Sequence, residues 1–290
     1  MFPELIDTKP LRRAVDDALN WVVANWGAGF EVAARPLLSF LNAIQFALLA
    51  TPWWVIVAVL TAAAWFASRN WRLPTIVFAA LIFLGVMDLW EDAMITMSLM
   101  IAATLTAIVV SIPVGVWMSR SLNVRQIVTP VLDLMQTLPS FVYLIPTVMI
   151  FGPGKIPALL ATIVYAAPPL VRLTDLGLRS VDPAIIEASR AFGSNPSQRL
   201  IGVQIPLALP TILAGINQTT MMALAMVVIA SMIGAGGLGY QVLQGIGRLE
   251  VSRGLFAGLG IVVLAIVFDR VTQAFGKQLQ NRIGLEEART

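Results

Sequence analysis

The sequence predicts an all-α polytopic membrane protein with about seven transmembrane helices, on three observations. Hydrophobic residues make up 58% of the 290 and the mean hydropathy is +0.83. Charged residues are only 12%, 19 basic and 16 acidic, against about a quarter in a soluble domain. Polar groups are therefore too few to coat a water-facing surface, and most of the outside must face lipid. The charges also fall between apolar runs, several of them long enough to cross a bilayer core of about 30 Å. There is no cysteine and no histidine, which excludes disulfide frameworks, thiol nucleophiles, imidazole metal sites and histidine acid/base pairs. The net charge of +3 is scattered between apolar runs instead of forming a stripe, so nucleic acid is not expected as a partner.

In chain order, residues 1–50 read as a membrane-surface segment. They lack the order of a signal peptide, and their apolar stretch Leu37 to Ala50, interrupted by Asn42 and Gln45, is short enough for an interfacial helix. Residues 51–92 hold two accessory spans, at 52–67 and 73–89. Five longer runs follow at 93–118, 127–150, 155–173, 207–233 and 254–273, and residues 274–290 form a polar tail. Basic residues of the short loops collect on one side: Arg69, Arg72, Arg120, Arg125, Arg172, Arg179, Arg190, Arg199, Arg270, Lys277, Arg282 and Arg289. That bias makes the 174–206 loop and the C-terminus cytoplasmic and the N-terminus outside. Trp53, Trp54, Trp65, Trp71, Trp90 and Trp117 sit near span ends, as interfacial anchors do.

Residues 174–206 are the one long polar interruption, and their capping signals predict two short helices. Asp182 and Pro183 open the first, which runs to a stop at Gly193; Asn195 and Pro196 open the second, which runs to Pro206. Ile185, Ile186, Ala188, Ala191 and Phe192 give the first helix more apolar character than a solvated loop requires. It either packs under its own bundle or docks into another protein.

Here the sequence resembles a known family. Glu187-Ala188-Ser189, Gly193 after three residues, and Val203-Gln204-Ile205-Pro206 after nine more fit the EAA motif of ABC importer permeases. Ser189 replaces alanine, and the last apolar pair is Val203 and Ile205. Met135 to Pro146 (MQTLPSFVYLIP) and Asn217 to Gly239, ending in IGAGGLG, are similar to the glycine betaine/proline betaine permeases of ProW/OpuA type. The resemblance covers about residues 88–275. It implies a type I ABC importer (MetI-like) five-helix core at 93–273 in a bacterial inner membrane. It also implies that Glu187, Ala188, Phe192, Gly193 and Pro206 couple the core to an ATPase. The implied assembly is a homodimer of this permease with two ATPase subunits, an extracytoplasmic substrate-binding protein and the surrounding lipid bilayer. ATP and magnesium would sit on the ATPase and no cofactor on this chain. The cargo would be glycine betaine or a related osmolyte such as proline betaine, choline, carnitine or trimethylamine N-oxide.

The residues themselves add several expectations. Pro139 and Pro146 interrupt the fourth run and Pro168 and Pro169 the fifth, as hinges or as static kinks. Gly215, Thr219 and Ala223 recur every four residues, a small face for close helix contact. Gln218, Met222 and Met226 form the adjacent stripe, and with Met135, Phe141 and Tyr143 they are candidates for a translocation path; ordinary interhelical packing is the competing reading. All eight tryptophans lie at or before Trp117, so a tryptophan-built cation box inside the later spans is not expected. The Ile233 to Gly239 string follows a membrane helix, which favours a turn or short re-entrant segment over a phosphate loop. No Gly-x-x-x-x-Gly-Lys-Ser/Thr sequence exists, so ATP hydrolysis belongs to a separate subunit and the chain itself is not an enzyme. An ion-coupled carrier, with Asp133 as the acid inside a span, and an amino-acid ABC permease are the alternatives. An intramembrane enzyme lacks the His, Cys or paired mid-span aspartates it would need.

Overall fold

A computed structural model describes residues 9–68 and 70–282, the side chains of 11, 12, 15 and 277–282 excepted. Arg69, residues 283–290 of the tail, and the side chains of Lys277 and Arg282 lie outside the described residues. All regular elements among the described residues are helical. They are α1 (Lys9–Ala50), α2 (Trp53–Ser68), α3 (Arg72–Val86), α4 (Trp90–Arg120), α5 (Leu122–Thr137), α6 (Leu144–Phe151), α7 (Lys155–Arg179), α8 (Pro183–Ala191), α9 (Pro196–Arg199), α10 (Ile205–Ala230), α11 (Leu238–Gly247) and α12 (Val251–Arg282).

Five stretches are long and apolar enough to cross a membrane: Asp16–Ala50, Trp90–Arg120, Lys155–Arg179, Pro196–Ile233 and Val251–Gly276. A sixth is possible only as the bent pair α5 and α6. The two accessory runs form helices of 16 and 15 residues, or about 22–24 Å at 1.5 Å per residue. The stretch 37–50 is not a separate element but the last third of the 42-residue α1. Leu41 is buried. Leu38 and Asn42 border the 151–157 turn, and Gln45 accepts from the Nζ of Lys155 at 2.7 Å. Over two turns, then, α1 stays beside one end of the bundle.

The core is centred on α7, which packs chiefly against α4 on one side and α10 on the other. Small residues permit the approach. A Cβ on Gly115 would fall 2.6 Å from the Cβ of Thr174, and one on Gly215 would fall 2.9 Å from Leu170 and 3.1 Å from Leu173. Gly215, Thr219 and Ala223 are all buried, so the expected small face is the α10 surface that meets α7. A second apolar cluster joins α2, α3, the first turns of α4, α11 and α12 through Val57, Val77, Leu81, Met94, Leu238 and Leu264.

The prolines behave differently from one another. The expected single run at 127–150 is two helices bent by 113°. Leu138 is extended (φ −68°, ψ 133°), as a residue before proline prefers, and Pro139 cannot continue the hydrogen-bond ladder. A 3₁₀ turn, Ser140–Tyr143, then starts α6, and Pro146 sits in the first turn of α6 without breaking it. Pro168 and Pro169 are buried inside an unbroken α7. Hydroxyls from both neighbours donate to the carbonyls just before them, Ser111 to Ala167 at 3.3 Å and Thr219 to Ala166 at 2.9 Å. Neither proline interrupts α7, and of the four only Pro139 marks a helix break.

The ends of the core helices define two faces. Arg120, Arg125 and Arg179 lie at the face that carries residues 182–199, called here the loop face. Trp90, Lys155 and the glycine turn after α10 lie at the far face. At that turn Gly234, Gly236 and Gly237 take φ of 99°, 80° and 81°, a region that favours glycine. A Cβ on Gly237 would come within 2.5 Å of the Thr96 hydroxyl. That hydroxyl instead accepts from the Leu238 N–H at 2.9 Å. The string is thus a tight turn seated on the start of α4 and followed by the ten-residue α11, with no strand before it to make a phosphate loop.

Candidate functional site: an exposed helical loop and the spans behind it

The loop folds as its capping residues direct. Asp182 accepts from the Ala184 N–H at 2.8 Å with Pro183 in the first turn, and α8 ends at Phe192. Gly193 follows at φ +79°. Asn195 and Gln198 complete a reciprocal capping box, at 2.8 and 2.9 Å. Ser189, the departure from the EAA pattern, has a local use: its hydroxyl lies 2.5 Å from that of Ser194, which also donates to the Ser189 carbonyl at 2.7 Å.

The second helix does not stop at Pro206. After the four residues of α9 the backbone widens into a π-helical turn, Leu200–Gln204, where the Ile205 N–H bonds back to the Leu200 carbonyl. Pro206 follows that turn directly, as the second residue of α10. The loop therefore runs into α10 as one nearly continuous helix, Pro196–Ile233.

No residue of α8 is buried. Glu187, Ala188 and Gly193 are exposed, Pro206 is half-buried, and Phe192 is 93% exposed. Ile185 and Ile201 add further exposed apolar surface. The main contacts of α8 are with α9 and the π-turn. Of the two possibilities open in the sequence, packing under the bundle is not what the helix does.

Behind the loop, charged side chains tie the helices together. Asp175, 5% exposed on α7, receives two bonds from Arg179, at 2.9 and 3.0 Å, and faces Arg125 of α5 at 3.4 Å. Arg120 at the end of α4 donates to the Pro196 carbonyl at 3.3 Å. Neither Asp175 nor Arg120 stood out as a site residue in the sequence. The signal for Asp175 was its spacing of four from Arg179. Asp133, the acid that an ion-coupled carrier would use, is paired with Arg172 across α5 and α7.

The six path candidates separate by burial. Gln218 and Phe141 are exposed, and Met135 and Met222 are half-buried. Met226 and Tyr143 lie in the core and not on an open surface. Tyr143 braces the Pro139 bend: its hydroxyl donates to the Met135 carbonyl, and its ring meets Tyr165 edge-on at 5.8 Å. The polar run of α10 is mostly paired, the exception being Asn217 Oδ1, which is buried without a partner. Asn217 donates to Asp269 of α12 at 3.3 Å, Thr219 bonds to α7, Thr220 bonds back to Ile216 at 2.8 Å, and Gln218 faces outward.

These elements define a polytopic α-helical membrane protein whose largest loop presents an exposed helix. The chain belongs to the family described as "Binding-protein-dependent transport system inner membrane component", whose profile matches residues 107–281. It is 46% identical to the glycine betaine/proline betaine transport system permease protein ProW of Escherichia coli, over 94% of this chain and 77% of that one. It is 40% identical to the glycine betaine/carnitine transport permease protein GbuB of Listeria monocytogenes, over 95% of this chain and 99% of the other. Among solved structures, an inward-facing MetNI methionine ABC transporter chain superposes with a TM-score of 0.61 at 21% identity, over 66% of this chain and 95% of that one. That similarity establishes a shared fold.

Proposed function

We propose that this chain is the membrane subunit of an ATP-driven importer for glycine betaine or a related quaternary ammonium or methylamine osmolyte. The observation that carries the reading is the reach of the similarity. The alignment to ProW spans 274 residues, so it takes in the accessory helices α2 and α3 as well as the family core at 107–281.

The working assembly is two copies of the chain, two ATPase subunits that bind ATP and magnesium, and an extracytoplasmic binding protein. The loop face and the C-terminus lie in the cytoplasm and the N-terminus outside, in an inner membrane. Each ATPase receives α8, with Phe192 as the aromatic anchor and Glu187 beside it. ATP-driven approach of the two ATPases moves the α8–α9 unit. The π-turn and Pro206 pass that motion to α10, while Arg120 passes it to α4. Substrate follows the surface that carries Gln218, Phe141, Met135 and Met222, and the binding protein selects it. The absence of tryptophan after Trp117 fits a path that does not hold a cation tightly.

The test is uptake of radiolabelled glycine betaine into proteoliposomes holding the permease, its ATPase and its binding protein. ATP-dependent uptake that choline, carnitine or trimethylamine N-oxide competes for supports the reading. Uptake driven by an ion gradient without ATP overturns it.

A further inference from the structure

Two openings beside α2, α3 and α4 share a wall. At the far face a cleft of about 810 Å³ is lined by Asp88, Glu91, Asp92 and Gln241, with Trp53 and Trp90. A groove of about 640 Å³ between α2 and α3 shares Trp53 and Ile82 with that cleft. The rest of its lining is apolar apart from the Thr61 hydroxyl, and includes Trp65, Trp71 and Phe78. One end of the combined surface is acidic and the other is made of hydrocarbon.

The charges of the cleft are not neutralised from within. Asp88 and Glu91 are exposed and form no ion pair among the described residues. Asp92 accepts from Gln241 at 2.6 Å, and Arg253 donates to Gln241 at 2.8 Å and pairs with Glu250 at 3.2 Å, with no ion pair to Asp88, Glu91 or Asp92 among the described residues. Thr61 is the one hydroxyl in the groove wall, and its oxygen is buried in the helix packing away from the open groove, which leaves the groove a hydrocarbon surface. The two helices that form the groove are shorter than the bilayer core, by about 6–8 Å. Such a mismatch leaves local lipid to adapt to the protein.

We propose that this surface binds one phosphatidylethanolamine molecule. Its ammonium group sits between the carboxylates of Asp88 and Glu91 and against the faces of Trp53 and Trp90, and an acyl chain lies along the α2–α3 groove. Charge selects this occupant. A headgroup with a phosphate and no cation would bring only negative charge to three carboxylates, and an apolar helix from another protein would fill the groove while leaving those carboxylates unpaired.

The test uses the full chain in nanodiscs made from equal parts of phosphatidylethanolamine and phosphatidylglycerol, with lipid retained after extraction read by native mass spectrometry. Wild type is expected to retain phosphatidylethanolamine over phosphatidylglycerol. The double variant Asp88→Asn/Glu91→Gln and the groove-filling Ala62→Trp are each expected to lower that retention by about tenfold. Equal retention of the two lipids, or unchanged retention in both variants, overturns the proposal. Displacement of the lipid from wild type by saturating soluble choline also overturns it, because the cleft would then be a site for free cations.

Discussion

Arg120, the last residue of α4, donates through Nη2 to the carbonyl of Pro196, the first residue of α9, at 3.3 Å. The bond joins the middle of the exposed loop directly to the helix that packs most closely on α7 after α10. The α8–α9 unit is thus tied to the bundle at three points, through residues 180–182 to α7, through Arg120 to α4 and through the π-turn to α10. A loop attached only by its own chain ends would have one fewer way to move the spans.

Phe192→Ala separates docking from folding. The ring is 93% exposed, so its removal should leave the melting temperature of the isolated permease unchanged. An aromatic anchor seated in a partner pocket contributes about 2 kcal/mol or more, and affinity for the ATPase should fall by about 30-fold. Titration of detergent-purified ATPase onto the permease measures this directly.

Asp175→Asn and Asp133→Asn should differ in thermal stability. Asp175 is nearly buried and serves two arginines whose side chains are 34% (Arg179) and 40% (Arg125) exposed. Its loss should cost about 2–3 kcal/mol, below the full cost for a wholly buried pair because solvent screens the arginines. Asp133 is 59% exposed, and its loss should cost about 0–1 kcal/mol. Thermal unfolding of both variants in the same detergent gives the comparison.

Thr96→Val removes the acceptor of the buried Leu238 N–H while keeping the shape of the side chain. An unpaired buried donor costs about 1–3 kcal/mol. Faster amide exchange at Leu238 and Gly239, with little change in α7, is the expected signature of a loosened far-face turn.

Gln218→Arg and Met226→Arg test the division of the path candidates. Gln218 is exposed on α10, so the arginine variant should assemble and transport poorly. Met226 is fully buried in the central cluster, and a charge there should abolish folding. Membrane abundance and uptake measured side by side distinguish the two outcomes.

Much of this was legible in the sequence because its signals are local. Asp182-Pro183 and Asn195-Pro196 name their own helix starts, and Gly193 names a stop. The repeat of Gly215, Thr219 and Ala223 names a contact face. The bend at Pro139 was legible as an interruption, but its 113° was not, since Pro168, Pro169 and Pro146 carry the same local signal and stay within helices. What separates them is tertiary: hydroxyls of Ser111 and Thr219 support the α7 prolines, and those residues are far away in sequence. The same holds for Tyr143 and Met226. Met226 became a path candidate through its spacing on α10 and Tyr143 through its place in the fourth run, and both are buried in the central cluster, which neither signal reveals. The length of α1 was missed because Asn42, Gln45 and Arg35 break the apolar run without breaking the helix.

The most direct measurement is co-purification of the ATPase with wild-type permease and with Glu187→Lys from the same membranes, followed by ATP hydrolysis assays of each preparation. An ATPase that accompanies wild type and is released by the substitution, while both permeases accumulate equally, is the predicted result. An ATPase bound equally to both, or a permease that carries none and still transports, would contradict coupling through α8.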